Sequence, residues 1–487
     1  MQWFRSRRTQ IAIAVVAIMA VAIVATGSAI ALDRGGKWEA GDMHTHTFLT
    51  DGSNTQLQVV QAAFNKYDLD WMANSEHGGF SVRDPFGNAA SPSQPRWWSL
   101  MNWSFPIVRD IRAIFPEKTL VQGVEWNVPK HEHASVGIVS NEPSAVAEFE
   151  YRFDGNDSST TFPGSPTKDN TTLQGAIDGV AWLQANYADS AYFSLNHPSR
   201  ALKYTPGDVR DFIAAGPDVA IGFEGMPGHQ KESDRGGYGS TNPLARNYQG
   251  TDIWAAKVGG FWDSLLANGS RFHIFTNSDF HLTSGDFWPG EYAKSWTWIA
   301  HPDDPKSLVA GLKSGRSFSA FGDLVDELKF SAESDDKIVA MGRDALTVRR
   351  GKDVEVTVKF HTPRVNSNGD SPMVDHVDLI AGSVTGPAVK GSASWDASTN
   401  PTAQVVKTFD RKSLKKVGEG WYSATYVVRN VQGPMYLRLR GTNLAAGTIG
   451  MTDAAGNPLM DQVGANSPAN AWKSLWFYSN PIWINVR

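Results

Sequence analysis

The chain has 487 residues, 41% of them hydrophobic, with eighteen tryptophans, no cysteine and a formal charge of −5. That apolar content excludes a wholly disordered chain, and at roughly 150 residues per domain the length suggests about three domains, or fewer if one is a barrel. Zero cysteine excludes a disulfide framework, thiolate metal sites and a cysteine nucleophile, while the acidic balance argues against a nucleic-acid surface.

Residues 1–36 read as a targeting segment. Arg5, Arg7 and Arg8 precede an apolar run from Ile11 to Ala25, and Ala29-Ile30-Ala31 offers a small-x-small cleavage pattern. Cleavage after Ala31 predicts a signal peptide and an extracytoplasmic chain, periplasmic or secreted. The same stretch to Leu32 also reaches the roughly 20 residues of an uncleaved membrane anchor at the outer face of the cytoplasmic membrane. Cleavage would remove three arginines and no acid, taking the net charge from −5 to −8.

From residue 37 to about 340 short apolar runs alternate with helix-like stretches, the mark of an α/β layout. The first strand is expected over 41–47. Ser53-Asn54-Thr55-Gln56 reads as a capping box for a helix with Leu57, Val60 and Phe64 on one face. Further strands are expected at 69–74, 120–126, 133–139, 192–196, 219–224, 272–277 and 295–300. Asp304 then caps a helix over 305–313, followed by a strand at 316–320. Three long inserts, 81–118, 141–172 and 225–250, interrupt this rhythm, as functional loops tend to do. From 341 to 487 the pattern turns to strands (346–348, 354–360, 377–381, 423–428, 435–441 and 483–486), with no convincing helix, and suggests a β-sandwich-like domain.

Ten of the twelve histidines lie before residue 302, most at ends of expected strands. His44 and His46, at i and i+2, would project from one face of a strand. Asp279 and His281 repeat that spacing with a carboxylate. Between them come Asp51, His77, Glu125, His133 and His197. These nine residues exceed what one ion could use, and neutral imidazole with carboxylate suits zinc, manganese or iron(II). They imply two or three divalent ions and a bridging carboxylate. Taken singly, each motif is as well explained by a surface histidine or a buried, paired carboxylate. Together they follow successive strands, whose carboxyl ends gather sites in β/α barrels.

In order and spacing, His44-Thr45-His46-Thr47, Asp51-Gly52, Ser75-Glu76-His77, Gly123-Val124-Glu125, His133, Asn196-His197-Pro198 and Ser278-Asp279-Phe280-His281 resemble the motifs of the PHP family (polymerase and histidinol phosphatase). The resemblance spans about 37–330. It implies a distorted (β/α)7 barrel with a trinuclear metal centre at its carboxyl-terminal mouth. His44, His46, Glu125 and Asp279 would hold one ion; Glu125 would bridge to a second, held also by His133 and His197; Asp51, His77 and His281 would hold the third. Glu76 stands where the family usually has Asp, and His131 is the alternative to His133. Residues 308–322 and Ser479-Asn480-Pro481-Ile482 resemble, more loosely, a subgroup that includes carbaryl hydrolases.

The resemblance implies hydrolysis of a small phosphomonoester or phosphodiester by a metal-bridging hydroxide, with a carbamate or carboxylic ester as the alternative substrate. Arg200, three residues after His197, is expected to grip phosphate, or else to pair with Asp208 or Asp211. His229 is the candidate general acid, with Lys203 and Arg83 behind it. Trp97, Trp98, Trp103 and Trp126 either wall the mouth or anchor their insert by burial. The expected partner is a small-molecule ester, with no nucleic acid, and a membrane only through an uncleaved leader.

Overall fold

The computed structural model describes residues 35–227, 231, 235–461 and 468–487. The leader and His229 lie outside them. No helix among the described residues is long and apolar enough to cross a membrane.

The protein is a mixed α/β structure around one large sheet of fifteen strands. Its first part uses β1 (Lys37–Asp42), β2 (Trp71–Asn74), β3 (Thr119–Asn127), β4 (His133–Ile138), β5 (Ala191–Leu195), β6 (Ala220–Glu224) and β7 (His273–Phe275), in spatial order β7-β6-β5-β4-β3-β2-β1. β1–β2, β2–β3, β5–β6 and β6–β7 are parallel pairs. β4 is antiparallel to both its neighbours. The repeating β/α expectation therefore breaks at β4. The connection from Asn127 to His133 is too short for the dozen or more residues a parallel crossover needs, so the chain turns back as a hairpin.

The two ends of this run meet beyond their strands. Thr45 bridges Phe280, His46 donates its N–H to the Phe280 carbonyl, and the Met43 N–H reaches Asn277 Oδ1 at 2.9 Å. Inside the run a buried cluster forms from Met43, Trp71, Val121, Tyr192, Ile221 and Phe275. Gly41 makes room for it, since a Cβ there would lie 1.9 Å from the Trp71 ring. The helix Pro305–Ser314 packs Leu308, Val309 and Leu312 into the same cluster. Asp304 caps it by accepting from the Lys306 N–H, and Gly315 ends it in the left-handed region at φ +66°.

The capping box of the first helix, Gln56–Gln61, uses Thr55 and Gln58 instead of Ser53 and Gln56. Both pairs have the required spacing, but Ser53 is engaged elsewhere: its N–H and hydroxyl both reach the His281 carbonyl. The insert 81–118 is structured, with a hairpin (Phe80–Arg83 and Ala89–Pro95) and the helix Phe105–Ile114. Insert 141–172 contains the helix Ser144–Phe153.

β8 (Ala293–Ile299) pairs antiparallel with β1, and β9 (Ser317–Phe321) with β8. The sheet then continues through Trp476–Ser479, Met435–Thr442, His376–Ser383 and Gln404–Asp410. The strands after 341 are thus largely an extension of the first sheet. A second sheet of five strands has Glu327–Ser334, Val354–His361 and Trp421–Val428 at its centre. Val354, Val356, Val358 and Phe360 are buried in alternation with polar residues, as a one-sided strand requires. Phe360 meets Phe477 of the large sheet with ring centroids 6.2 Å apart. One short helix, Pro468–Lys473, was not expected in this part.

Candidate metal centre

β1 ends at Asp42, so His44 and His46 sit on the loop that follows and not on a strand face. Their placement comes from Asp42, whose carboxylate accepts from the His44 N–H at 2.9 Å and the Ser278 N–H at 2.8 Å. This ties the His44–His46 loop to the Asp279–His281 loop. Asp279 and His197 both adopt positive φ, +44° and +29°. Such backbone costs about 1–3 kcal/mol per residue and persists only where the surroundings hold it. For His197 the hold includes Glu224, which accepts its N–H at 3.0 Å.

All nine expected residues converge. His44 Nε2 lies 3.0 Å from both Glu125 Oε1 and Asp279 Oδ1. His46 Nε2 is 3.2 Å from Asp279 and 3.4 Å from Glu125. Glu125 is also 2.7 Å from His77 Nδ1, 3.0 Å from His133 Nδ1 and 3.3 Å from His197 Nε2. Asp51 Oδ2 stands 3.4 Å from His77 Nε2 and 3.4 Å from His281 Nε2. His44, His46, Glu125, His197 and Asp279 are buried, whereas His77, His133 and His281 are half-buried and Asp51 is exposed.

Donor atoms within 4.8 Å of one another fall into five groups. These are His46-Asp51-His77-His281, His44-His46-Asp279, His44-Glu125-His197, His77-Glu125-His133 and Glu132-His133-His197. His44, His46, His77, Glu125, His133 and His197 each belong to two groups, so the donors form one connected cluster. Glu132 was not expected among them. Its carboxylate accepts from Arg200 Nη2 at 2.7 Å and lies 3.5 Å from Lys203 Nζ.

The electrostatics follow from crowding. Burial pushes Glu125 upward, but the imidazoles of His133, His44 and His77 outweigh it and hold its carboxyl well below the usual range. Burial also depresses His77, yet Glu125 and Asp51 carry it up to about 10. His46 goes the other way: burial, with His281 and His77 beside it, lowers it to about 3. His46 is therefore neutral, and neither ring nitrogen makes an aligned hydrogen bond, although Asp279 lies 3.2 Å from Nε2. Unclaimed buried lone pairs of this kind fit a cation held by nitrogen and oxygen donors.

The supporting contacts were mostly invisible in sequence. Glu224, at the end of β6, accepts from His44 Nδ1 and from Asn277 Nδ2, both at 2.8 Å. Its position at a strand's carboxyl end was the one available signal. Asn196 donates to Glu125 Oε1 at 3.0 Å. Glu76 accepts from the hydroxyls of Thr47 and Thr50, holding the turn that presents Asp51.

The remaining candidates separate. Arg200 pairs with Glu132 beside His197, and not with Asp208 or Asp211, which are taken by His131 and Lys390. His131 points away from the cluster and stacks on Tyr204. Arg83 is spent on the Thr50 carbonyl. Trp126 is buried against Phe149 and Phe193 with its N–H on the Phe153 carbonyl, and Trp97 is buried with its N–H on Ser159. Trp98 and Trp103 pack edge-to-face on each other.

No family model matches the chain, and no curated protein matches it. Among solved structures it is similar to a two-domain protein containing a predicted PHP-like metal-dependent phosphoesterase from Bacteroides vulgatus. The TM-score is 0.38 at 13% identity, over 88% of this chain and 94% of that one. A chitin binding domain from Burkholderia pseudomallei matches with a TM-score of 0.15 and 10% identity, over 30% of this chain and 57% of that one. The His/Asp/Glu cluster itself is compatible with a metal site.

Proposed function

We propose that the chain is an exported, metal-dependent hydrolase acting on a small phosphomonoester or phosphodiester. The observation that carries this reading is the buried convergence of His44, His46, Glu125, His197 and Asp279, with neither ring nitrogen of His46 in an aligned hydrogen bond. We read the seven-stranded run as a distorted (β/α)7 barrel, and the part beyond about 340 as a sandwich-like domain.

His44, His46, Glu125 and Asp279 would hold one divalent ion, Glu125 with His133 and His197 a second, and Asp51 with His77 and His281 a third; zinc, manganese and iron(II) suit these donors. Bound ions of this type supply Lewis acidity, lowering the pKa of water and offsetting charge on phosphoryl oxygens. The chain's own residues orient and bind. Glu224 fixes the tautomer of His44 by accepting from Nδ1, so that Nε2 keeps its lone pair. Asn196 steadies Glu125. Arg200, braced by Glu132, offers a guanidinium to phosphate oxygens. His229, on the segment after Glu224, is our assignment for the proton given to the leaving oxygen. The partner is a small phosphate ester and not a nucleic acid. The leader, if uncleaved, is the only membrane contact.

The test is metal analysis of the purified protein, with assays on 4-nitrophenyl phosphate, its bis-ester and naphthyl esters. We expect at least two transition-metal equivalents, and phosphoester turnover that His46→Ala and Asp279→Ala abolish. Turnover of naphthyl esters alone would replace the phosphoesterase reading with the carbamate or carboxylic ester one. Protein without bound metal, or variants without loss, would overturn both.

A further inference from the structure

A cavity of about 440 Å³ opens beside His133, between the β3–β4 turn and the insert that follows the helix Ser144–Phe153. That volume lies in the range of small-ligand sites, roughly 300–1,000 Å³. His133 lies on its wall and 3.0 Å from Glu125, so the cavity adjoins the donor cluster through that residue.

The wall is polar. Asn127, Asn156, Asn170 and Thr171 line it, together with the ammonium-bearing side chains of Lys130 and Lys203. Its only aromatic rings are the imidazoles of His131 and His133. The side-chain nitrogens of Asn127 and Asn170 are engaged, the first by the Asp154 carboxylate and the second by the Asp154 and Asp157 carbonyls. Each also carries a side-chain oxygen, an acceptor of the kind a ligand's hydroxyl needs.

The carboxylates around the wall are engaged: Asp154 by Asn127, Asp208 by His131 at 3.3 Å, and Glu132 by Arg200 at 2.7 Å, Lys203 at 3.5 Å and His197 at 3.6 Å. Lys130 has no carboxylate within ion-pairing distance among the described residues. If Arg200 serves the reacting phosphate, the two lysines remain for another anion further along the substrate.

Resting on the phosphoesterase reading above, we propose that this cavity receives the leaving group and selects a hydroxylated one bearing a second phosphate, the class of a sugar bisphosphate. The amide oxygens take the hydroxyls, and Lys130 and Lys203 take the second phosphate. A flat aromatic leaving group finds no ring to stack on other than the two imidazoles.

The experiment compares kcat/KM of the metal-loaded protein for fructose 1,6-bisphosphate, fructose 6-phosphate and 4-nitrophenyl phosphate, alongside the thermal upshift each sugar phosphate produces. We expect the bisphosphate to be preferred over the monophosphate by roughly tenfold or more, the size of one charge-assisted hydrogen bond. Lys130→Met should erase roughly tenfold of that preference, and Lys130→Met with Lys203→Met nearly all of it. Lys118→Met, which precedes the opposite end of β3, should keep the wild-type ratio. Equal use of the two sugar phosphates by wild type, or an unchanged ratio in the double variant, overturns the cavity assignment and leaves the phosphoesterase reading standing. Hydrolysis of none of the three overturns the phosphoesterase reading. The cavity is then judged by whether the bisphosphate upshift disappears in the double variant.

Discussion

Replacing Glu224 by glutamine keeps the side chain's shape and takes away one acceptor. The carboxylate is fully buried and serves at least three donors: His44 Nδ1 and Asn277 Nδ2 at 2.8 Å on Oε1, and the His197 N–H at 3.0 Å on Oε2. A glutamine oxygen can serve one side only. In the better orientation it keeps His44 and Asn277 and turns its own NH2 toward the His197 N–H, leaving that donor unsatisfied. A buried donor without an acceptor costs about 1–3 kcal/mol, so urea unfolding of the metal-free variant should show a loss of that size. The neutral amide is also a weaker acceptor for His44. Losing a partner behind a metal-binding imidazole typically costs about 10–100-fold in affinity, which Mn(II) titration against a competing chelator would read. Glu224→Ala should lose more on both counts, because all three donors are stranded. A Glu224→Gln protein with wild-type stability and with affinity within roughly twofold of wild type would refute the reasoning.

Three further outcomes follow from other parts of the molecule. Burial lowers the His273 imidazole to about 3, with Arg343 contributing; a depressed base adds stability above its unfolded pKa, near 6.5, and loses it as pH falls towards 3. Between pH 7 and pH 5 the wild type should therefore lose about 2 kcal/mol more than His273→Gln, as measured by urea unfolding. Asp263 and Arg438 are joined by two 2.8 Å bonds at zero exposure, so Asp263→Ala should cost about 3–5 kcal/mol. Asp263→Leu with Arg438→Met should recover most of that; a double variant as unstable as the single one would count against an uncompensated charge as the cause. Thr55→Ala removes the hydroxyl that accepts from the Gln58 N–H, leaves the bond from the Thr55 N–H to the Gln58 side chain in place, and should cost about 1 kcal/mol in the same assay.

The amino-acid sequence by itself determined those features that depend on neighbours a few residues away. Asp304 and Gly315 delimit a helix because a carboxylate oxygen can cap orphan N–H groups and glycine tolerates positive φ. The nine site candidates were legible for a related reason: each lies in a short motif whose order along the chain can be compared, and the structure gathers all nine. Even locally the reading had limits, since Ser53 and Thr55 offered equivalent capping spacings and only a contact with His281 separates them.

Tertiary structure alone decided the rest, because strand direction and hydrogen-bond partnership are set by groups far apart in sequence. The pairing of β4 with β5 and the joining of β9 to Trp476–Ser479 both depend on such distant groups. So does the role of Glu224: a carboxylate at a strand end reads the same whether it faces water or an imidazole 180 positions away. Composition had excluded thiolate chemistry at the outset; which nitrogens and oxygens would stand in its place, and which of them would be left without an aligned hydrogen bond, emerged only when distant loops closed over one another.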